Sequence, residues 1–473
     1  KWEGIRACDT FAPMSMQPRS SHIYDSLSQI VAYHDYTLSL ADNYTAPMSE
    51  DSLYLNIWRP ADMGDEQLPV LVYIHGGSLK TGQPWYADYA GTGLAKQGVI
   101  VVNLAYRLGV FGFYGNSDLA AESLDGTTGD YGLLDQIAAL KWVQNNISFF
   151  GGDPGNVTLA GESAGSACVS ALLSSPLASG LFRRAILESS TVDAIIPAHS
   201  YRSFEDTLAA GQDLYEETGT SDLEGLRALP AEELVKYTEE NHHITPDGYV
   251  LPADPYIMYQ EGQPLNAEEI LNGYNGGEST PFILFDHFTK ENFKEKLEGY
   301  CGGLVADTGD LTSLYTIEND DDAESAMKEI LSAAWFGYGH QCLTEKAMAE
   351  GIPVYEYYFN QENGRLGSWH SGEEVYCYAN IPEKKHWYEN FMGGSRLYTA
   401  DDRQLSAYMS AYWANFCRTG DPNDDGSGQA DASLPEWKPV TDTDTITEFR
   451  AGDGAYVREI PVPWKKIYDV LEN

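Results

Sequence analysis

Val157-Thr-Leu-Ala-Gly-Glu-Ser-Ala-Gly-Ser166 decides how the rest of the chain is read. A short β-favouring run, Val157 to Ala160, meets Gly161-Glu162-Ser163-Ala164-Gly165, and small residues follow. This is the G-x-S-x-G pattern in the setting that gives it meaning: strand, sharp turn, helix. Glycines flank the serine because a strained turn needs unencumbered backbone and a close approach of strand to helix. Such a turn lifts the Ser163 hydroxyl out of the sheet edge and over a helix N-terminus, where negative charge is stabilised. Taken alone, the pentapeptide is equally compatible with a tight turn and a helix cap, so its surroundings must decide.

Just upstream, Phe149-Phe-Gly-Gly-Asp-Pro154 is a breaker cluster. Before it, Leu133, Ile137, Leu140, Val143 and Ile147 recur at steps of four, three, three and four, which predicts an amphipathic helix. Val99 to Leu104 and Leu68 to Ile74 are near-continuous apolar runs, the signature of strands buried on both faces. The second run ends in the glycine loop His75-Gly-Gly-Ser78. Leu53, Leu55 and Ile57 alternate with polar or amphipathic neighbours and predict another strand, whereas Lys1 to Ser20 shows no clear element. Strand, loop and helix in alternation predict an α/β fold with a mostly parallel twisted sheet and helices on both faces. Ligands of such sheets bind beyond the carboxyl ends of the strands, where loops 75–78 and 161–165 converge. That convergence favours catalysis.

Composition narrows the chemistry. The 473 residues carry 29 Lys+Arg against 71 Asp+Glu, a net charge of −42, with 43% hydrophobic residues. The core is ample, while the surface repels nucleic acid and anionic membrane and disfavours polyanionic substrates. High-salt adaptation is a second cause of such a charge. The six cysteines lack metal-binding spacing, and no apolar run approaches the roughly 18 residues of a membrane span. No signal peptide opens the chain, which begins at Lys1, so a soluble protein of either compartment is expected.

Several stretches, in order along the chain, resemble the type-B carboxylesterases, the branch of the α/β-hydrolases that includes acetylcholinesterase and bacterial p-nitrobenzyl esterases. They are Glu50-Asp-Ser-Leu-Tyr-Leu-Asn56, Val72-Tyr-Ile-His-Gly-Gly-Ser78, Ala105-Tyr-Arg-Leu-Gly109, Gly132-Leu-Leu-Asp-Gln136, Phe150-Gly-Gly-Asp-Pro154 with the Ser163 turn, Tyr412-Trp-Ala-Asn-Phe416 and Thr419-Gly-Asp-Pro-Asn423. The resemblance implies one α/β-hydrolase domain over 1–473, with insertions at about 195–265 and 281–400 forming the walls of a gorge. There are departures from the family pattern. The family's first hairpin, ahead of Trp2-Glu-Gly4, is missing, which predicts a sheet edge left short or covered by a partner. Ser52 stands where many members have a disulfide cysteine, and Ser78 where Gly or Ala is usual.

A serine hydroxyl needs a base, and the base needs a group that fixes its tautomer. In this fold the order is Ser, acid, His. By resemblance the nucleophile is Ser163, the base is His370 in Gly367-Ser-Trp-His-Ser-Gly-Glu-Glu374, and the acid is Glu278 in Gly273-Tyr-Asn-Gly-Gly-Glu278. Ser279 follows the acid where the family usually has Gly. The oxyanion hole falls to the backbone of Gly77, Ser78 and Ala164. His75 is expected to pack, and His242 and His243 to lie on the surface. Glu162 either orders the site or is a solvated carboxylate, and the resemblance gives Thr191 a hydroxyl that supports the acid. Trp369, Tyr376, Trp387, Tyr388 and Phe391 are either pocket lining or core. The expected activity is hydrolysis of neutral aryl or alkyl esters, with no cofactor and no metal. The rival readings are a non-catalytic binding scaffold, since the family includes adhesion proteins with degraded triads, and a peptidase or lactonase on the same fold.

Overall fold

The computed structural model describes residues 8, 10–18, 47–62, 64, 66–191, 201–305, 307–362, 366–382, 398–429, 431–452 and 454–472. Its strands are β1 (Met14–Ser15), β2 (Met48–Ser49), β3 (Leu55–Trp58), β4 (Leu68–Ile74), β5 (Ile100–Leu104), β6 (Gly152–Glu162), β7 (Arg184–Glu188), β8 (Glu269–Asn275), β9 (Val354–Phe359), β10 (Thr445–Gly452) and β11 (Gly454–Pro461). β1 and β2 form a small parallel pair, and the other nine form one sheet in the order β11-β10-β9-β8-β7-β6-β4-β5-β3. Every neighbour pair from β10 to β5 is parallel, while β11 and β3 close the two edges antiparallel. Trp2 to Gly4 lie outside the described residues, and one edge of the described sheet is the four half-buried residues of β3.

The apolar runs become the central strands for a simple reason. Side chains alternate across a strand, and here both faces are covered. Val70, Val72 and Ile74 of β4 pack in one cluster with Leu133, Ile137, Val169 and Leu343, from the helices Tyr131–Asn146, Ala164–Ser174 and Tyr338–Ala349. Leu71 and Tyr73 of the same strand face the opposite way, into a cluster with Met409 and Trp413 of the helix Ala400–Thr419. The predicted stripe Leu133, Ile137, Leu140, Val143, Ile147 is buried throughout. The strand predicted from Leu53 begins at Leu55 instead, and Leu53 is exposed, because pairing with β5 starts at Leu55–Leu104.

A third cluster joins Ile330 and Phe336 to Trp464, Tyr468 and Tyr274. It holds the helix Asp320–Ser332 and the π-helical turn Ala333–Gly337 beside β8. β9 runs through the second expected insertion, so the residues outside the sheet there fall on either side of Val354–Phe359. The chain leaves β4 toward β5 on one side and returns to β6 on the other, so the loops after β4 and β6 face each other at the topological switch point. No helix among the described residues is long and apolar enough to cross a membrane. Cys168, Cys301, Cys377 and Cys417 are buried free thiols, and buried Ser52 bonds the Ser15 hydroxyl at 3.0 Å.

Candidate active site

β6 stops at Glu162 and the helix Ala164–Ser174 starts one residue later, so Ser163 alone makes the turn. Its backbone stands at φ 54°, ψ −128°, a region that costs a non-glycine residue about 1–3 kcal/mol. Two bonds hold it there: Ser163 N–H donates to the Glu188 carbonyl at 2.9 Å, and Ala167 N–H donates to the Ser163 carbonyl at 3.0 Å. The close approach expected from the flanking glycines is present. A Cβ on Gly165 would lie 2.0 Å from the Ile74 carbonyl oxygen.

The loop after β4 runs against this turn, since a Cβ on Gly76 would sit 2.9 Å from Ser163 Cβ. Gly77, Ser78 and Leu79 have φ of 108°, 56° and 58°, so three successive residues turn left-handed. Lys80 and Thr81 N–H groups both donate to the Gly77 carbonyl, at 3.0 and 2.9 Å, which fixes the curl. The N–H groups of Gly77, Ser78 and Ala164 find no acceptor among the described residues. His75 braces the loop from below. Its ring stacks on Tyr106 with centroids 4.6 Å apart, Tyr106 Oη donates to its carbonyl at 2.8 Å, and burial pulls its pKa down to about 4.

Glu278 and His370 come from the loops after the adjacent strands β8 and β9. Glu278 is fully buried; its Oε2 lies 2.6 Å from His370 Nδ1, and its Oε1 accepts the Asn275 N–H at 2.7 Å. An ionised carboxylate only accepts, so this contact places the imidazole proton on Nδ1 and leaves Nε2 as the basic nitrogen. Nε2 makes no hydrogen bond among the described residues and stands 3.3 Å from an oxygen of Glu162, the neighbour of Ser163. The rings of Phe336 and Phe282 cover the imidazole, with centroids 4.7 and 5.2 Å away. Glu162 is buried rather than solvated, and the Ser371 hydroxyl donates to it at 2.5 Å.

Beneath these groups lies a set of buried carboxylates that the sequence did not single out. Glu373 accepts from Ser189 Oγ at 2.8 Å and from the Asn275 side-chain amide. Glu188 accepts from Tyr378 Oη at 2.8 Å and Trp413 Nε1 at 2.7 Å, and Glu374 accepts from Tyr73 Oη. Burial first, and then mutual repulsion, push Glu188 up to about 8 and Glu373 to about 7, and raise Glu162 and Glu374 well above the carboxylate range. The one sequence cue was the Glu373-Glu374 pair following the His370 region.

Two expectations change. Thr191 Oγ1 is buried with no partner among the described residues, and in that stretch the hydroxyl that reaches a buried glutamate is Ser189, bonded to Glu373 rather than to Glu278. His242 is buried and His243 half-buried, because the segment turns inward: Ile244 joins the core cluster of β4, and Thr245 N–H donates to buried Asp130 at 3.0 Å. Tyr376 belongs to the core, Trp369 is half-buried beside the site, and Trp387, Tyr388 and Phe391 lie outside the described residues. No group of three His, Cys, Asp or Glu among the described residues could hold a metal ion.

Residues 1–450 match the Carboxylesterase family. The chain belongs to the carboxylesterase family. Within it, the chain is 33% identical over 394 residues to fumonisin B1 esterase of Sphingopyxis macrogoltabida, covering 80% of this chain and 70% of that one. It is 33% identical over 479 residues to neuroligin-2 of Mus musculus, covering 89% of this chain but only 54% of the relative. Among solved structures, a Geobacillus stearothermophilus carboxylesterase superposes with a TM-score of 0.78 at 30% identity, covering 99% of this chain and 90% of that one. The α/β-hydrolase architecture of the carboxylesterases is thus the architecture of this chain.

Proposed function

We propose that this carboxylesterase-family chain hydrolyses carboxylic esters through an acyl-enzyme on Ser163, with His370 as base and Glu278 as the acid that orients it. The observation that carries the reading is the 2.6 Å contact of Glu278 with Nδ1, which leaves Nε2 unbonded beside the strained Ser163 turn. Ser163 Oγ attacks the ester carbonyl while Nε2 takes its proton, and the negative charge that forms on the carbonyl oxygen meets the N–H groups of Gly77, Ser78 and Ala164. His370 then gives the proton to the departing alkoxide, and the acyl group stays on Ser163. A water loses a proton to the same nitrogen, adds to the acyl carbon and releases the acid, with the proton returning to Ser163. Glu278 stabilises each imidazolium without itself being protonated.

The exposed Phe282 ring against His370 supports an aryl or alkyl group as the part of the substrate nearest the base. Surface charge of −42 favours neutral esters over anionic ones. The name of the Sphingopyxis relative, an esterase, supports ester hydrolysis as the reaction. Neuroligin-2 keeps a binding scaffold as the rival, and the presence of Ser163 together with the Glu278–His370 pair supports the enzyme instead.

The test is direct. Ser163→Ala is expected to abolish the burst of p-nitrophenol from p-nitrophenyl acetate while leaving the circular dichroism unchanged. Treatment of the wild type with an organophosphate is expected to place one adduct on the peptide that contains Ser163. Labelling elsewhere, or none, refutes the assignment. A panel of p-nitrophenyl esters against peptide anilides separates esterase from peptidase.

A further inference from the structure

The contact between Glu278 and His370 joins two loops that are 92 residues apart in sequence. Holding that contact at 2.6 Å requires the two loops to be registered far more tightly than flexible segments at the ends of strands register themselves. Backbone bonds provide part of the register: Gly276 N–H donates to the Phe359 carbonyl at 2.9 Å and Gly277 N–H to the Ser368 carbonyl at 2.7 Å. Gly277 also bridges to Trp369 in parallel. These contacts align the chains but do not grip the reacting side chains.

Asn275 does. It is the last residue of β8 and fully buried. Its backbone N–H donates to Oε1 of Glu278 at 2.7 Å, the oxygen that His370 does not use. Its side-chain amide donates to the Trp369 carbonyl at 2.9 Å, in the peptide that enters His370, and to Oε2 of Glu373, three residues beyond. One residue therefore touches the acid and both sides of the base. The amide orientation follows from its partners, because a carbonyl and a carboxylate both accept and only the NH₂ end can face them. The other end, Oδ1, is buried with no partner among the described residues. Leaving a buried acceptor unbonded is costly, so the arrangement satisfies the two donor contacts at the expense of the acceptor.

We propose that Asn275 is a positioning residue of this active site, which clamps the Glu278 loop to the His370 loop through three hydrogen bonds. The proposal rests on the reading of Glu278 and His370 as acid and base. Asn275 touches neither substrate nor the reacting atoms; it acts by keeping the carboxylate on Nδ1.

The variants are Asn275→Ala, which removes the two side-chain bonds, and Asn275→Asp, which keeps size but presents an acceptor to the Trp369 carbonyl and the Glu373 carboxylate. Both are first checked for folding by thermal unfolding. With p-nitrophenyl acetate, each is expected to lose about 10²-fold in kcat with KM little changed, the scale of a displaced catalytic group. The imidazolium would lose part of its stabilisation by Glu278, so the acid limb of kcat/KM is expected to move to lower pH. In proton NMR, the far-downfield His370 Nδ1 proton of the wild type is expected to move upfield. A folded variant with wild-type kcat, acid limb and Nδ1 resonance overturns the proposal, as does a loss of kcat with the acid limb unmoved. If Asn275→Ala does not fold, Asn275→Asp is read by the same three measures. A wild type that no organophosphate labels would instead refute the esterase reading, and the Nδ1 resonance would then decide the clamp by itself.

Discussion

A carboxylate buried to zero exposure beside an imidazole can do two things that its amide cannot: it fixes the Nδ1 proton and it stabilises the cation. Glu278→Gln keeps the shape and removes both. The expected result is a fall in kcat of about 10²- to 10⁴-fold, read in steady-state kinetics with p-nitrophenyl acetate, with KM nearly unchanged because Glu278 does not touch the bound ester. Near wild-type kcat would remove Glu278 as the acid. Ser163, Glu278 and His370 were proposed from short patterns that resemble the family's, and the structure sets Glu278 against His370 at 2.6 Å. Glu188, Glu373 and Glu374 were not. With 71 acidic residues in the chain, a carboxylate carries no signal by type, and what singles these out is burial, with Tyr73, Tyr378 and Trp413 bonding Glu374 and Glu188 across 190 or more positions.

At the scale of elements, the two turns that face each other at the switch point are held by backbone geometry rather than by side-chain chemistry. Gly77 is the most constrained residue of the glycine loop, with φ of 108° and a virtual Cβ only 2.3 Å from the Thr81 carbonyl oxygen. Gly77→Ala must move that backbone, and with it the N–H groups proposed to meet the oxyanion. A fall in kcat of about 10²- to 10³-fold is expected, the range for loss of one oxyanion donor, while the melting temperature shows whether the sheet is intact. An unchanged kcat would exclude this loop from the reaction. The central strands and the helix Tyr131–Asn146 were legible because two-faced burial leaves unbroken apolar runs and one-faced burial leaves a helical stripe. The segment around His242 was not legible. Its acidic, turn-rich composition says surface, and only the packing of Ile244 and Thr245 against distant residues buries it. The same holds for the π-helical turn Ala333–Gly337, which sets Phe336 on His370 although no local pattern announces a change of helix pitch.

At the scale of the whole molecule, two populations of carboxylates behave oppositely. Most of them lie on the surface and make the net charge −42. Four (Glu162, Glu188, Glu373 and Glu374) are sealed under the active site, where burial favours their neutral forms. In the unfolded chain such groups titrate near 4.3, whereas in the fold Glu373 titrates at about 7 and Glu188 at about 8. The stability they contribute is therefore complete in mild acid and is lost as pH rises through those folded values, since the native state holds protons that the unfolded chain has released. Thermal unfolding is expected to show a melting temperature that declines from about pH 5 toward pH 8. Glu188→Gln, which stays neutral throughout, should flatten the decline, and an unaltered slope would show that Glu188 does not carry it. The cluster also has a calorimetric consequence. A chain with 71 acidic side chains acts as a base when it folds: near neutral pH, folding withdraws protons from the buffer, so the measured heat of unfolding should vary with the buffer's own heat of ionisation.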